Sequence, residues 1–121
     1  MSSVRAFLLD LDGTLYGEAG AVPGAAAALA ALRRRGVPFR CVTNTTRRSR
    51  RLLAERLAGY GFDIRPAEII TAVMAAVTLL RERGVRRVAP FVAEATLEDL
   101  AEFDLASGRP ETVLVGDLGD E

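Results

Sequence analysis

The sequence predicts an α/β chain, a parallel sheet with flanking helices, and three observations carry that reading. Strand-like and helix-like segments alternate along the 121 residues, as parallel strands joined by crossovers require. The helix-like segments run into glycines placed to end them, Gly36, Gly59 and Gly84. The first apolar run closes on two carboxylates, Asp10 and Asp12, where open parallel sheets gather ligands beyond the carboxyl ends of their strands.

Residues 6–9 form the first expected strand. Pro23 suits a helix's first turn, and residues 25–35 hold strong helix formers closed by Gly36. Residues 39–43 make the second strand. Thr45 or Thr46 then caps a helix through about residue 58, with Leu52, Leu53 and Leu57 spaced as one apolar face. A third helix runs from about residue 71 to residue 83. Residues 85–92 form a third strand, where Pro90 marks an edge or an end. A short amphipathic helix is expected over 96–103, and a fourth strand over 112–115 opens onto Gly116-Asp117.

Composition bounds the partners. Sixteen Arg balance sixteen acids and Lys is absent, which argues against a basic nucleic-acid surface. Residues 1–60 hold ten Arg against four acids, and residues 61–121 six Arg against twelve, so the candidate site lies in the basic half, which would attract an anion. The lone Cys41 has no internal disulfide partner, no segment is long and apolar enough to span a bilayer, and the apolar run before Asp10 is too short for a secretory signal. A cytoplasmic protein without membrane contact is expected.

Residues 7–15, Phe-Leu-Leu-Asp-Leu-Asp-Gly-Thr-Leu, carry the chemistry. Desolvating a carboxylate is costly unless a cation or hydrogen bonds compensate, and a divalent cation would. Side chains at i and i+2 of an extended segment share a side, so Asp10 and Asp12 can face one ligand. Gly13 and Thr14 offer a turn whose backbone N–H groups can approach an anion. One βα unit later, Thr43-Asn44-Thr45-Thr46 follows the second strand, so both strand ends can face one pocket, although Thr and Asn also suit caps and turns. Arg47, Arg48, Arg50 and Arg51 come next; they point in several directions, and at most one is expected to touch substrate.

Asp10-Leu11-Asp12-Gly13-Thr14 resembles the first motif of the haloacid dehalogenase superfamily, Asp-x-Asp-Gly-Thr, at every fixed position. The likeness extends in order through Val22-Pro23-Gly24, Val42-Thr43-Asn44-Thr45-Thr46, Glu68-Ile69-Ile70-Thr71-Ala72 and Val113-Leu114-Val115-Gly116-Asp117 to the branch with a large α/β cap inserted between its second and third motifs. The resemblance implies a Rossmann-like core and a Mg²⁺-dependent phosphatase of a small phosphorylated metabolite. Asp10 would be the nucleophile and Asp12 the general acid and base. Mg²⁺ would be held by the Asp10 carboxylate and the Asp12 backbone carbonyl, and Leu11, Gly13, Thr14, Thr43 and Asn44 would bind phosphate.

Members of this branch are about twice as long as this chain, which implies a truncated core: residues 1–92 its N-terminal part, residues 93–121 the end of that segment or the start of the cap region. The third motif's Lys is excluded by composition, leaving Arg87 or Arg109 as substitutes. A second arrangement makes the chain a capless minimal phosphatase, with Asp117 and either Asp120 or Glu121 as metal ligands. The preferred expectation is the N-terminal part of a capped enzyme, whose unfinished apolar surface favours a homo-oligomer. The competing functional expectation is a non-catalytic phosphate-binding or interaction domain derived from such an enzyme.

Overall fold

The computed structural model describes residues 3–105 and 107–118, so Asp120 and Glu121 lie outside the described residues. The first apolar run forms β1 (Phe7–Asp10), which ends on the first acid. A small antiparallel hairpin follows, β2 (Tyr16–Gly17) and β3 (Gly20–Ala21). Helix α1 (Ala25–Arg34) leads to β4 (Phe39–Thr43), and β4 pairs in parallel with β1, Phe7 opposite Phe39 and Asp10 opposite Val42. After α2 (Arg50–Gly59), a single 3-10 turn over Pro66–Glu68 precedes β5 (Ile69–Thr71), which lies on the far side of β4 in the order β1-β4-β5. Helix α3 (Ala72–Glu82) leads to β6 (Val88–Phe91), and a 3-10 segment over Glu94–Leu100 leads to β7 (Thr112–Val115), parallel to β6.

The chain divides into two compact units. The first comprises residues up to Thr43 with Leu53–Ile70, around a core that includes Leu11, Tyr16, Phe39, Cys41, Leu57 and Phe62. The second comprises Asn44–Leu52 with residues from Thr71 on, around Val73, Val77, Leu80, Val88, Leu100 and Phe103. Leu100 and Phe103 pack with residues of α3 and β6, so the chain beyond residue 93 shares a core with the segment before it.

The α/β class, the parallel pairing and the 112–115 strand agree with expectation, while several boundaries moved for local reasons. The helix expected from Thr45 or Thr46 starts at Arg50, because Ser49, fully buried, is the residue whose hydroxyl accepts from the Leu52 N–H at 3.2 Å. Thr46 is used elsewhere, accepting from the Asp117 N–H at 2.8 Å. Thr71 does cap α3, accepting from the Met74 N–H at 3.1 Å. The third strand begins late, at Val88, because the amides of Arg86 and Arg87 donate to the Glu111 carboxylate instead of a strand ladder. The expected helix over 96–103 is a 3-10 segment in which buried Thr96 donates back to the Ala93 carbonyl at 2.7 Å. β6 and β7 form a sheet of their own, separate from the pairing of β1, β4 and β5.

Candidate active site

Alternation along β1 and its exit sets the site. Asp10 and Asp12 are exposed and flank Leu11, which is completely buried in the first unit's core. The core anchors the backbone between two acids that both reach solvent. Asp10 Oδ1 accepts from the Leu11 N–H at 2.9 Å.

Gly13 turns the chain with φ of +78°, a conformation costly for any side chain with a Cβ. Its N–H donates to the Tyr16 carbonyl at 2.7 Å, and the Thr14 N–H donates to the Leu11 carbonyl at 3.1 Å. Both amides close the turn itself. Four residues closing a tight turn use their own donors to do so, and Gly13 and Thr14 shape the loop that presents Asp12.

Asp12 has a partner that motif reading passed over. Asp12 and Tyr16 pair across an isolated backbone bridge, and the Asp12 carboxylate is near enough for its charge to act on the phenol. Tyr16 is 3% exposed and stacks on Tyr60 with ring centroids 5.2 Å apart. The Arg56 guanidinium sits 5.1 Å from the Tyr16 ring centre and 5.9 Å from that of Tyr60. Burial raises the Tyr16 hydroxyl above the ordinary tyrosine value, the negative charge of Asp12 adds to this, and Arg56 opposes it. The only signal in the sequence was an aromatic residue placed directly after the Asp-Gly-Thr-Leu run.

The parallel register brings the second motif to the same end of the sheet. Because Asp10 lies opposite Val42, Thr43 ends β4 at the carboxyl edge where β1 delivers its acid. Thr43 is buried and Asn44 exposed.

Three of the four arginines that follow are held by acids within the second unit. Arg47 Nε and Nη2 donate to the two carboxylate oxygens of Asp117 at 2.8 and 3.1 Å. Arg50 Nε donates to Asp99 at 3.2 Å and Arg51 Nε to Glu98 at 3.1 Å. Ser49 also donates to Glu98. Asp117 therefore faces a guanidinium with both oxygens, so use as a metal ligand requires displacing a bidentate ion pair. Arg87 and Arg109 meet at the amino ends of β6 and β7, where Arg87 Nε donates to the Arg109 carbonyl at 3.0 Å. That is the end of the strands opposite Gly116-Asp117.

The described residues hold no group of three or more His, Cys, Asp or Glu side chains able to bind a metal. The donor set at Asp10 and Asp12 is nonetheless all oxygen, which suits Mg²⁺, an ion that binds through one or two carboxylates and keeps its remaining positions for water and substrate phosphate. A cavity of about 290 Å³ lined by Arg33, Arg40, Arg65 and Glu68 lies at the amino end of β4, away from these acids. Among the described residues, no helix is long and apolar enough to cross a membrane.

Comparison with known proteins places these features in context. The profile of the haloacid dehalogenase-like hydrolase family matches residues 7–106. The chain is 42% identical to haloacid dehalogenase-like hydrolase domain-containing protein 2 of Rattus norvegicus, over 93% of this chain and 42% of that protein. It is 33% identical to the phospholysine phosphohistidine inorganic pyrophosphate phosphatase of Homo sapiens, over 99% of this chain and 45% of that protein. Among solved structures, NagD from E. coli K-12 superimposes with a TM-score of 0.83 at 29% identity, covering 96% of this chain and 47% of that one. A thermostable NPPase from Geobacillus stearothermophilus gives a TM-score of 0.78 at 26% identity, again over 96% and 47%. The chain thus spans less than half the length of the relatives it matches.

Proposed function

Because this chain belongs to the haloacid dehalogenase-like hydrolases, we propose that it carries the nucleophile half of a Mg²⁺-dependent phosphatase acting on a small phosphorylated metabolite. The observation that supports this most directly is Asp10-Leu11-Asp12 at the carboxyl end of β1, in parallel register with the strand that ends on Thr43. Asp10, oriented by the Leu11 N–H, attacks phosphorus, forming the Oδ–P bond as the P–O bond to the leaving group breaks. Asp12 gives its proton to the leaving oxygen, then takes one from the water that cleaves the aspartyl phosphate. The Tyr16 phenol, bridged to Asp12 through the backbone, stands beside that carboxylate. The Thr43 hydroxyl and the backbone amide near Asn44 bind phosphoryl oxygens. Mg²⁺, held by the Asp10 carboxylate and the Asp12 carbonyl, supplies charge neutralisation for the anionic phosphate. A reducing cytosol suits the buried free thiol of Cys41.

One observation favours a second reading, a phosphate-binding or interaction domain without turnover: these 121 residues contain no Lys to neutralise an aspartyl phosphate. Hydrolysis of p-nitrophenyl phosphate, with and without Mg²⁺, separates the two. The phosphatase reading expects metal-dependent release of nitrophenol that falls at least a thousandfold in Asp10→Asn. Folded protein that binds phosphate with no turnover supports the second reading instead.

A further inference from the structure

We propose that the cavity at the amino end of β4 binds a small organic phosphate or phosphonate, a dianionic phosphoryl head on a compact apolar body, at a place separate from Asp10 and Asp12. The cavity, of about 290 Å³, lies wholly within the first unit. Its walls include Arg33 in the last turn of α1, Val37 in the loop that follows, Phe39 and Arg40 at the start of β4, and Arg65 and Glu68 at the 3-10 turn. Thr43 ends the same strand four residues after Phe39, about 13 Å away at the rise of a parallel strand.

The cations at this cavity exceed what its own ion pairs need. Arg33 is structural: Nη1 and Nη2 donate to the two Glu68 oxygens at 2.8 and 2.7 Å, Nη2 also donates to the Asp63 carbonyl, and the guanidinium lies 4.9 Å from the Phe39 ring centre. Its Nε is buried and donates no hydrogen bond among the described residues, with the Asp63 carboxylate 3.9 Å away and 92% exposed to water. Arg65 gives Glu68 only Nη2 from its side chain, at 3.0 Å, and stays 72% exposed. Arg40 gives Nη1 to the carbonyl of its neighbour Phe39 at 2.8 Å and pairs with no acid among the described residues. Glu68 is already held by Arg33, so Arg40 and most of the Arg65 fork face the cavity without an anion.

These features select the ligand. A guanidinium fork matches the oxygens of a phosphoryl group, and two forks in excess favour a dianion over a single carboxylate. The volume is at the lower edge of small-molecule pockets, roughly 300 Å³, which admits one ring and its head group. Val37, Pro38 and the arginine stems supply apolar wall for that ring. The floor is set before any ligand arrives. Gly36 turns the chain out of α1 with φ of +65°, the Val37 N–H donates to the Leu32 carbonyl at 3.0 Å, and Glu68 pins Arg33. Little ordering remains except at the Arg40 and Arg65 side chains.

The test titrates phenylphosphonate, whose C–P bond a phosphatase does not cleave, into the ¹⁵N-labelled 121-residue chain with EDTA present. Saturable shifts are expected at the amides of Gly36, Val37, Arg40 and Arg65. Arg40→Ala and Arg65→Ala should each weaken binding at least tenfold, the scale of a hydrogen bond between charged groups. Arg40→Lys, which keeps the charge and loses the fork, should weaken it as well. Arg83→Ala, at an exposed arginine of the second unit, should change nothing. Inorganic phosphate, without the ring, and benzoate, without the second charge, should each bind several-fold more weakly. Shifts confined to the amides around Asp12 and Asn44, no saturation, an equal loss in Arg83→Ala, or benzoate binding as tightly as the phosphonate would overturn the proposal. Metal is chelated and nothing is hydrolysed, so the result is independent of whether the phosphatase reading holds.

Discussion

Buried Tyr16 and exposed Asp12 pair across a backbone bridge, and the Asp12 charge raises the Tyr16 phenol, so the acid proposed to move protons stands beside a ring anchored in the core. Stacking on Tyr60 and the Arg56 guanidinium over both rings fix that phenol. Replacing Tyr16 by Phe keeps the ring, its burial and its stacking while removing the hydroxyl. Turnover of p-nitrophenyl phosphate is expected to fall about tenfold, the scale of one polar interaction with a charged group, with KM nearly unchanged. Equal turnover in Tyr16→Phe would show that Asp12 needs no support from the hydroxyl.

Glu68 gives the first unit a pH dependence. Its side chain is 7% exposed and accepts from Arg33 at 2.8 and 2.7 Å and from Arg65 at 3.0 Å. The Arg33 hydrogen bonds hold its carboxyl far below the usual carboxylate range, with Arg65 assisting and burial opposing. A depressed folded pKa means that the stabilisation is full above the unfolded value near 4.3 and is lost as pH falls below it toward the folded value. Glu68→Gln should therefore cost about 2–4 kcal/mol at pH 7, where it strands Arg33, and progressively less below pH 4. Urea unfolding at pH 7, 4 and 3 checks both the size and the convergence.

What the sequence revealed and what it hid divide along physical lines. Asp10, Asp12 and Thr43 were legible because their chemistry is odd for strand ends, and the parallel register of β1 and β4 carries them to one edge. Tyr16 was hidden because an aromatic residue after an apolar one reads as core, which it also is. The turn bonds of the Gly13 and Thr14 amides were hidden because a turn's need for its own donors is a three-dimensional constraint. Likewise β5 is three residues long and merges with the helix after it, too short for any periodicity to show. The pairing of Arg47 with Asp117, 70 residues apart, has no local signature at all.

Gly116 is the tightest position at the end of β7. A Cβ there would lie 3.1 Å from both Thr46 Cβ and Val92 Cγ1, so these neighbours would have to give by a few tenths of an ångström. Its N–H donates to the Phe91 carbonyl at 2.9 Å, which limits retreat. Gly116→Ala should destabilise the second unit by about 1–2 kcal/mol through overpacking. Asp117→Asn next door, which weakens an ion pair exposed on both sides, should cost at most about 1 kcal/mol. Thermal unfolding that ranks the two in the opposite order would refute this account of the segment.

Cys41 reports on the integrity of the first unit. It is completely buried in β4, opposite Leu9, and burial pushes its thiol up to about 11, with the nearby Glu68 charge adding and Arg33 opposing. The reactive species is the thiolate, so at pH 8 the native protein exposes almost none. Iodoacetamide should leave folded protein unlabelled for hours and label it within minutes in 6 M guanidinium. The chain has this one thiol, so each labelled molecule marks one opening of the core around β4. In Glu68→Gln the labelling rate at pH 8 should rise by the same factor as the unfolded population, because the thiol and the ion pair belong to one packed unit. A rate unchanged while urea stability falls would mean that β4 stays closed when the Arg33–Glu68 pair is lost, and that the ion pair guards only the 3-10 turn at Pro66–Glu68.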